Sequence, residues 1–193
     1  MRYRAKWPLQ HEFLRTLVVQ HQAEQMPPGR IMLVGDSLTE LAEVPELCGR
    51  RTFNVGIAGS TAGDWVPLLP GLIARAKPSA VVIGLGMNDA THKISTPIAV
   101  WEDNFDQLLA TIGKRPALVM AVPVIEPAKG LGPAIDLKRR KAINDSARRL
   151  AIRHGFRFSE SPLSVRGETF DGIHYDLPGA IKFGRRMQAL CPA

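Results

Sequence analysis

Cysteine is almost missing from this sequence: its 193 residues include only Cys48 and Cys191, far apart in the chain. Two cysteines make neither a disulfide framework nor a zinc site, and they lean toward a reducing compartment. Aromatic residues are few, at 6%, and none interleave with the basic residues as an RNA-stacking surface requires. No apolar run approaches the roughly 20 residues of a membrane span. The stretch Met1 to Gln25 is basic, but Arg15 interrupts its best apolar run, Phe13 to Val19. A signal peptide needs an unbroken core of about 7–15 apolar residues. Repeats, low-complexity tracts and long linkers are also missing, so a single domain over residues 1–193 is expected. These absences together predict a globular, cytoplasmic chain without a membrane span.

The residues that are present fit that class. Hydrophobic residues make up 45% and charged residues 22%, close to the average of globular proteins. Twenty-five Lys and Arg against eighteen Asp and Glu give +7, an ordinary value when the charges are dispersed. Short apolar runs alternate with stretches of helical period. The runs are Ile31–Val34, Phe53–Val55, Ala80–Leu85, Ala117–Val122 and Phe156–Phe158. Three of them are nearly continuous, as strands buried on both faces should be. Between them lie helical stripes: Phe13, Leu14, Leu17 and Val18; Trp65, Leu68, Leu69, Leu72 and Ile73; Trp101, Phe105, Leu108 and Ile112. Ile143, Ala147, Leu150 and Ala151 mark a fourth helix, and Phe183, Met187 and Leu190 the last. Pro67 and Pro70 leave the first turn of the second helix open. Thr96 and Pro97 can cap the third, with Gly113 at its end. Such β-α alternation predicts a parallel sheet covered by helices on both faces.

Ligands of such sheets bind beyond the carboxyl ends of the strands. There the first strand delivers Gly35-Asp36-Ser37, the second Gly56 to Thr61, and the third Gly86-Met87-Asn88-Asp89. The loop before the last helix brings Asp171-Gly172-Ile173-His174. Serine, histidine and aspartate are the parts of an activated hydroxyl nucleophile. The imidazole takes the hydroxyl proton, and the carboxylate holds the ring in the right tautomer. Backbone N–H groups of Ser37 and Gly59, with the Asn88 amide, can supply donors to an oxyanion.

Gly35-Asp36-Ser37-Leu38, Gly59, Gly86-Met87-Asn88-Asp89 and Asp171-x-x-His174 resemble the four blocks of the SGNH/GDSL hydrolases in order and spacing, from about Ile31 to Gly184. The resemblance implies a three-layer α/β/α, flavodoxin-like fold with a five-stranded parallel sheet. It implies Ser37 as nucleophile and oxyanion donor, Gly59 and Asn88 completing the oxyanion hole, His174 as base and Asp171 as its orienting partner. It implies no metal or organic cofactor. A serine esterase working through an acyl-enzyme on short acyl groups such as acetyl is the expected activity. A lysophospholipase or thioesterase of the same family, or a non-catalytic binding module, is the alternative. The substrate would be a small-molecule, carbohydrate or lipid ester.

Other readings of the same residues fit less well. Asp36 and Asp89 sit beside site residues and read as backbone-capping groups. Gly56, Gly59 and Gly63 lack the spacing of a phosphate loop, and Asp89 stands where a dinucleotide motif begun at Gly84 wants its third glycine. An α/β-hydrolase would carry G-x-S-x-G on a mid-sheet strand. His92 reads as a surface loop residue, and His11, His21 and His154 have no metal-ligand spacing. Lys138 to Lys141 with Arg148, Arg149 and Arg153 read as a solvated helix face, pairing Asp136 with Arg140 and Asp145 with Arg149, so no nucleic-acid partner is expected. The stretch Glu126 to Pro133 reads as a rim loop that sets acyl-chain length.

Overall fold

Five of the apolar runs are strands in the computed structural model, which describes residues 7–160 and 168–191. The first six residues of the basic N-terminal stretch lie outside the described residues. The elements, in order, are α1 (Trp7–Gln25), β1 (Ile31–Gly35), α2 (Ser37–Glu40), β2 (Glu46–Leu47), β3 (Arg50–Asn54), α3 (Ala62–Ala76) and β4 (Ala80–Gly84). There follow α4 (Ile98–Ile112), β5 (Ala117–Met120), a 3₁₀ turn (Gly132–Ala134), α5 (Leu137–Arg153), β6 (Arg157–Ser159) and α6 (Leu177–Met187). The sheet order is β2-β3-β1-β4-β5-β6. The five expected strands are parallel. The sheet nevertheless has six strands, because two-residue β2 pairs antiparallel with the edge strand β3. A pair that short leaves no period to read.

Alternation along the central strands divides the interior. Met32, Val34, Val81, Ile83 and Val119 join the larger core with residues of α1, α3, α4 and α5. Ile31, Leu33, Val82 and Leu118 face the other way and meet Val44, Leu47, Phe183 and Met187. The second face is thus covered mainly by α6 and the segment before β3. Cys48 and Cys191 are joined there by a disulfide, against the expectation that the two cysteines lean toward a reducing compartment.

Two local expectations are also corrected, and a helix start that the sequence left open is fixed. The stripe Phe13, Leu14, Leu17 and Val18 faces solvent, and among the described side chains of α1 Val19 and Ala23 are the buried ones. The helix turns this way because its inner face is polar at one end. Arg15 donates to the carbonyls of Gly56 and Asn54, both at 3.0 Å. In α5, Asp145 pairs with Lys141 at 2.6 Å, while Arg149 reaches across to Glu102 at 2.7 Å. Asp136 caps the helix at the N–H groups of Lys138 and Arg139, and Arg140 turns inward to the carbonyls of Val122 and Pro123. Finally, α3 runs through both Pro67 and Pro70. Its start is fixed by Thr61 and Asp64, whose carboxylate accepts the Thr61 N–H at 2.8 Å.

Candidate active site

β1 ends at Gly35, and the chain turns at once into the single turn of α2. Asp36 caps that turn by accepting the Leu38 N–H at 3.0 Å, which fixes Ser37 at the sheet's carboxyl edge. Across from it, the turn before α6 presents His174. The Ser37 hydroxyl donates to His174 Nε2 at 2.8 Å, and His174 Nδ1 donates to Asp171 Oδ2 at 2.7 Å. Residues 137 positions apart therefore form one continuous relay. Asp171 also accepts the backbone N–H groups of Ile173 and His174, at 3.1 and 2.8 Å. Burial pushes its carboxyl up, but the ring and the two N–H groups outweigh this and hold it below the usual range. It stays ionised, as a partner for an imidazole that becomes charged must.

The remaining predicted residues come to the same edge. Gly59 lies in the β3–α3 loop and Asn88 in the loop after β4. Asn88 donates one amide hydrogen to the Ser60 carbonyl at 3.0 Å, which ties the two loops together and leaves a second N–H on the same nitrogen. The Ser60 hydroxyl donates to the Ile57 carbonyl at 2.7 Å and accepts from Trp65 Nε1 at 2.9 Å, so the loop holding Gly59 is pinned from within. Asp89 is buried and accepts the first N–H of α3, at Ala62, at 3.1 Å. Asp36 and Asp89 are thus the capping groups that their positions suggested. Burial pushes each carboxyl up to about 6.

Supporting residues outside the motifs escaped sequence reading. Glu40 accepts the Ala58 N–H at 2.6 Å and meets His11 at 3.0 Å, linking α2, the Gly59 loop and α1. Asn54 donates to the Thr39 carbonyl at 2.7 Å and accepts from the Gly56 N–H at 2.9 Å. The segment Glu126 to Pro133, expected as a rim loop, clasps the turn that holds Asp171. The Glu126 N–H donates to the Gly172 carbonyl at 2.9 Å and the Leu131 N–H to the Asp171 carbonyl at 2.7 Å. Thr169 donates to the Glu126 carboxylate, and Lys129 donates to the Thr169 carbonyl. Gly172 has φ +91° and a Cβ there would lie 2.2 Å from the Lys129 carbonyl oxygen, so only glycine fits. A run of glycines at 130, 132 and 172 was the only signal of this contact.

His92 is exposed, and His154 pairs with Asp106 at 2.6 Å on the outer surface. Among the described residues no three His, Cys, Asp or Glu side chains gather as metal ligands, and no helix is long and apolar enough to cross a membrane. The arrangement at the sheet edge can pass a proton from hydroxyl to imidazole and hold an anion beside the serine.

The sequence model of the GDSL-like lipase/acylhydrolase family matches residues 33–179, and the chain belongs to that family. Its members are acylhydrolases and esterases. Among solved structures, it is similar to a Streptococcus pneumoniae protein provisionally named a platelet activating factor, at 16% identity and a TM-score of 0.82, covering 96% of this chain and 94% of the other. A lipase/acylhydrolase from Enterococcus faecalis is 20% identical with a TM-score of 0.68, over 83% and 94% of the two chains. Est24, a carbohydrate acetylesterase from Sinorhizobium meliloti, is 17% identical with a TM-score of 0.64, over 83% and 95%. At these identities the likeness is one of fold. No functionally curated protein matches the sequence.

Proposed function

We propose that the protein is a serine esterase that cleaves carboxylic esters through an acyl-enzyme. The observation that carries this reading is the unbroken relay Ser37–His174–Asp171, with both hydrogen bonds at 2.8 Å or less. Ser37 Oγ attacks the ester carbonyl carbon and passes its proton to His174 Nε2. The carbonyl oxygen, now negative, is met by N–H groups of Ser37, Gly59 and Asn88. The tetrahedral species collapses, the bond to the alcohol oxygen breaks, and His174 returns its proton to that oxygen. A water then repeats the sequence on the acyl-enzyme: its proton goes to His174, its oxygen to the acyl carbon, and Ser37 is released with the proton restored.

We take the acyl group to be a short one such as acetyl, in keeping with the acetylesterase among the structural neighbours. The disulfide between Cys48 and Cys191 favours an oxidising compartment over the cytoplasm as its place of work.

The test is turnover of p-nitrophenyl acetate by three proteins. Ser37→Ala should lower kcat by at least about 10³-fold, the scale of losing a nucleophile. Asn88→Ala should lower kcat by about 10²-fold with little change in KM, because its contact strengthens only in the transition state. Wild-type turnover in Ser37→Ala would end the proposal. An effect of Asn88→Ala on KM alone would make Asn88 a binding residue.

A further inference from the structure

Beside the catalytic pair lies a groove that the acyl step does not use. It has a free volume of about 510 Å³, the size of an ordinary small-molecule site, and runs between the end of α2 and α6. Leu41, Phe170, Tyr175, Leu177 and Ile181 line it together with the polar side chains Glu43, Asp176, Arg185 and Gln188. Four of these are apolar side chains left open to solvent: Leu177 is 73% exposed, Phe170 61%, Leu41 58% and Ile181 47%. Apolar side chains clustered in a groove mark a binding surface more often than they mark chance.

The groove adjoins the catalytic pair through the Phe170 ring. The Phe170 ring stacks on the His174 ring at 5.7 Å between centroids, with 19° between planes. Tyr175 follows His174 in the chain. Leu41, another lining residue, is the C-cap of the short helical turn that begins at Ser37. This places the groove on the histidine side of the serine. Chemistry assigns that side. His174 Nε2 must hand its proton to the departing oxygen, so the alcohol half of the ester leaves from beside the imidazole.

We infer that this groove binds the alcohol half of the substrate, and that this half is an apolar alkyl or aryl group and not a sugar. The inference rests on the esterase reading above. A sugar would need a ring of free donors and acceptors, whereas two of the groove's polar side chains are already engaged: Asp176 accepts the Gly179 N–H at 2.9 Å and Gln188 donates to the Glu46 carbonyl, which leaves Glu43 and Arg185 beside an otherwise aliphatic and aromatic lining. An alkyl chain laid along Leu41, Leu177 and Ile181 would leave water for apolar surface, worth up to about fourfold in kcat/KM for each methylene fully buried.

The test fixes the acyl group and varies the alcohol; across the three alkanols the leaving-group pKa is nearly constant, and the xylose ester, with its more acidic alcohol, is the intrinsically more reactive comparison. Acetate esters of ethanol, butanol and hexanol, together with acetylated xylose, are assayed by acid release at constant pH. The expected result is a rise in kcat/KM of two- to fourfold per methylene from ethyl to hexyl acetate, with the xylose ester slowest. Hexyl acetate should also exceed its isomer ethyl hexanoate, which carries the same atoms with the long chain on the acyl side. Leu177→Asp and Ile181→Asp, both at exposed positions, should each reduce the hexyl-to-ethyl ratio at least fivefold. Ile152→Asp, on the outer surface of α5, should leave that ratio within twofold. A flat wild-type series, faster cleavage of ethyl hexanoate or of the xylose ester, or an unchanged ratio in both groove variants overturns the groove assignment alone, provided that hydrolysis depends on Ser37. If no ester is cleaved in a Ser37-dependent way, the esterase reading falls and takes the groove assignment with it.

Discussion

Asp36 stands one residue before Ser37 and is buried, and its carboxylate spends its acceptors on backbone N–H groups instead of on a cation. Burial is the largest influence on it and pushes it up to about 6, against hydrogen bonds from Leu38 and Met87 that favour the charged form. A carboxyl whose folded pKa exceeds its unfolded value binds a proton more tightly in the native state. Its contribution to stability is therefore fully present below about pH 4 and is lost as pH rises through about 6. Asn at position 36 keeps the capping oxygen and removes the titration. The difference in unfolding free energy between Asp36→Asn and wild type, from urea melts, should shift in favour of the variant by about 2–3 kcal/mol between pH 4 and pH 7. A constant difference would contradict the account. At this scale the sequence was informative about Ser37, Asp171 and His174, because each chemical type stood at a strand end or in an Asp-x-x-His turn. It was silent about Glu40 and Arg15, whose partners are carbonyl and N–H groups that every residue possesses.

At the scale of elements, strands and helices were legible wherever one periodicity ran for long enough, as in β1, β4, β5 and α4. Two-residue β2 offers no period. For α1 the pattern misled: Phe13, Leu14, Leu17 and Val18 form the apolar stripe, yet the helix buries Val19 and Ala23 and turns His11 and Arg15 inward. A helix face is chosen by the neighbour it must satisfy, and here the neighbours are Glu40 and the carbonyls at the end of β3. The clasp between residues 126–133 and the Asp171 turn was equally hidden, since two of its four bonds join backbone groups alone. Gly172→Ala brings a Cβ against the Lys129 carbonyl in a left-handed conformation, so the turn must shift. It should lower kcat/KM on p-nitrophenyl acetate at least tenfold. Gly155 also has positive φ but open space around it, and Gly155→Ala should stay within twofold of wild type. Equal activity in the two variants would show that the clasp does not position the catalytic turn.

Across the whole molecule, the two faces of the sheet are unequal. Four helices supply the larger core, while α6 and the segment around Val44 and Leu47 supply the smaller. The disulfide fastens that thinner layer by joining the β2–β3 turn to Cys191, four residues beyond the end of α6, and so also anchors the helix that follows His174. It closes a loop of 143 residues, long enough for a large effect on the unfolded chain. The double variant Cys48→Ser/Cys191→Ser should lose about 2–5 kcal/mol of stability in urea unfolding. An unchanged midpoint would mean that the second layer holds without its staple. Cysteines so far apart carry no local pattern, which is why their pairing could be seen only in three dimensions.

The claim on which the rest depends is that Ser37 is an activated nucleophile. Its most direct measurement is labelling with a fluorophosphonate, followed by mass spectrometry of the intact protein and of its peptides. One adduct is predicted, on the peptide that contains Ser37, and it should be absent in Ser37→Ala and formed at least 10²-fold more slowly in His174→Ala. An unlabelled wild-type protein, or a label on Ser37 that is indifferent to the loss of His174, would contradict the account.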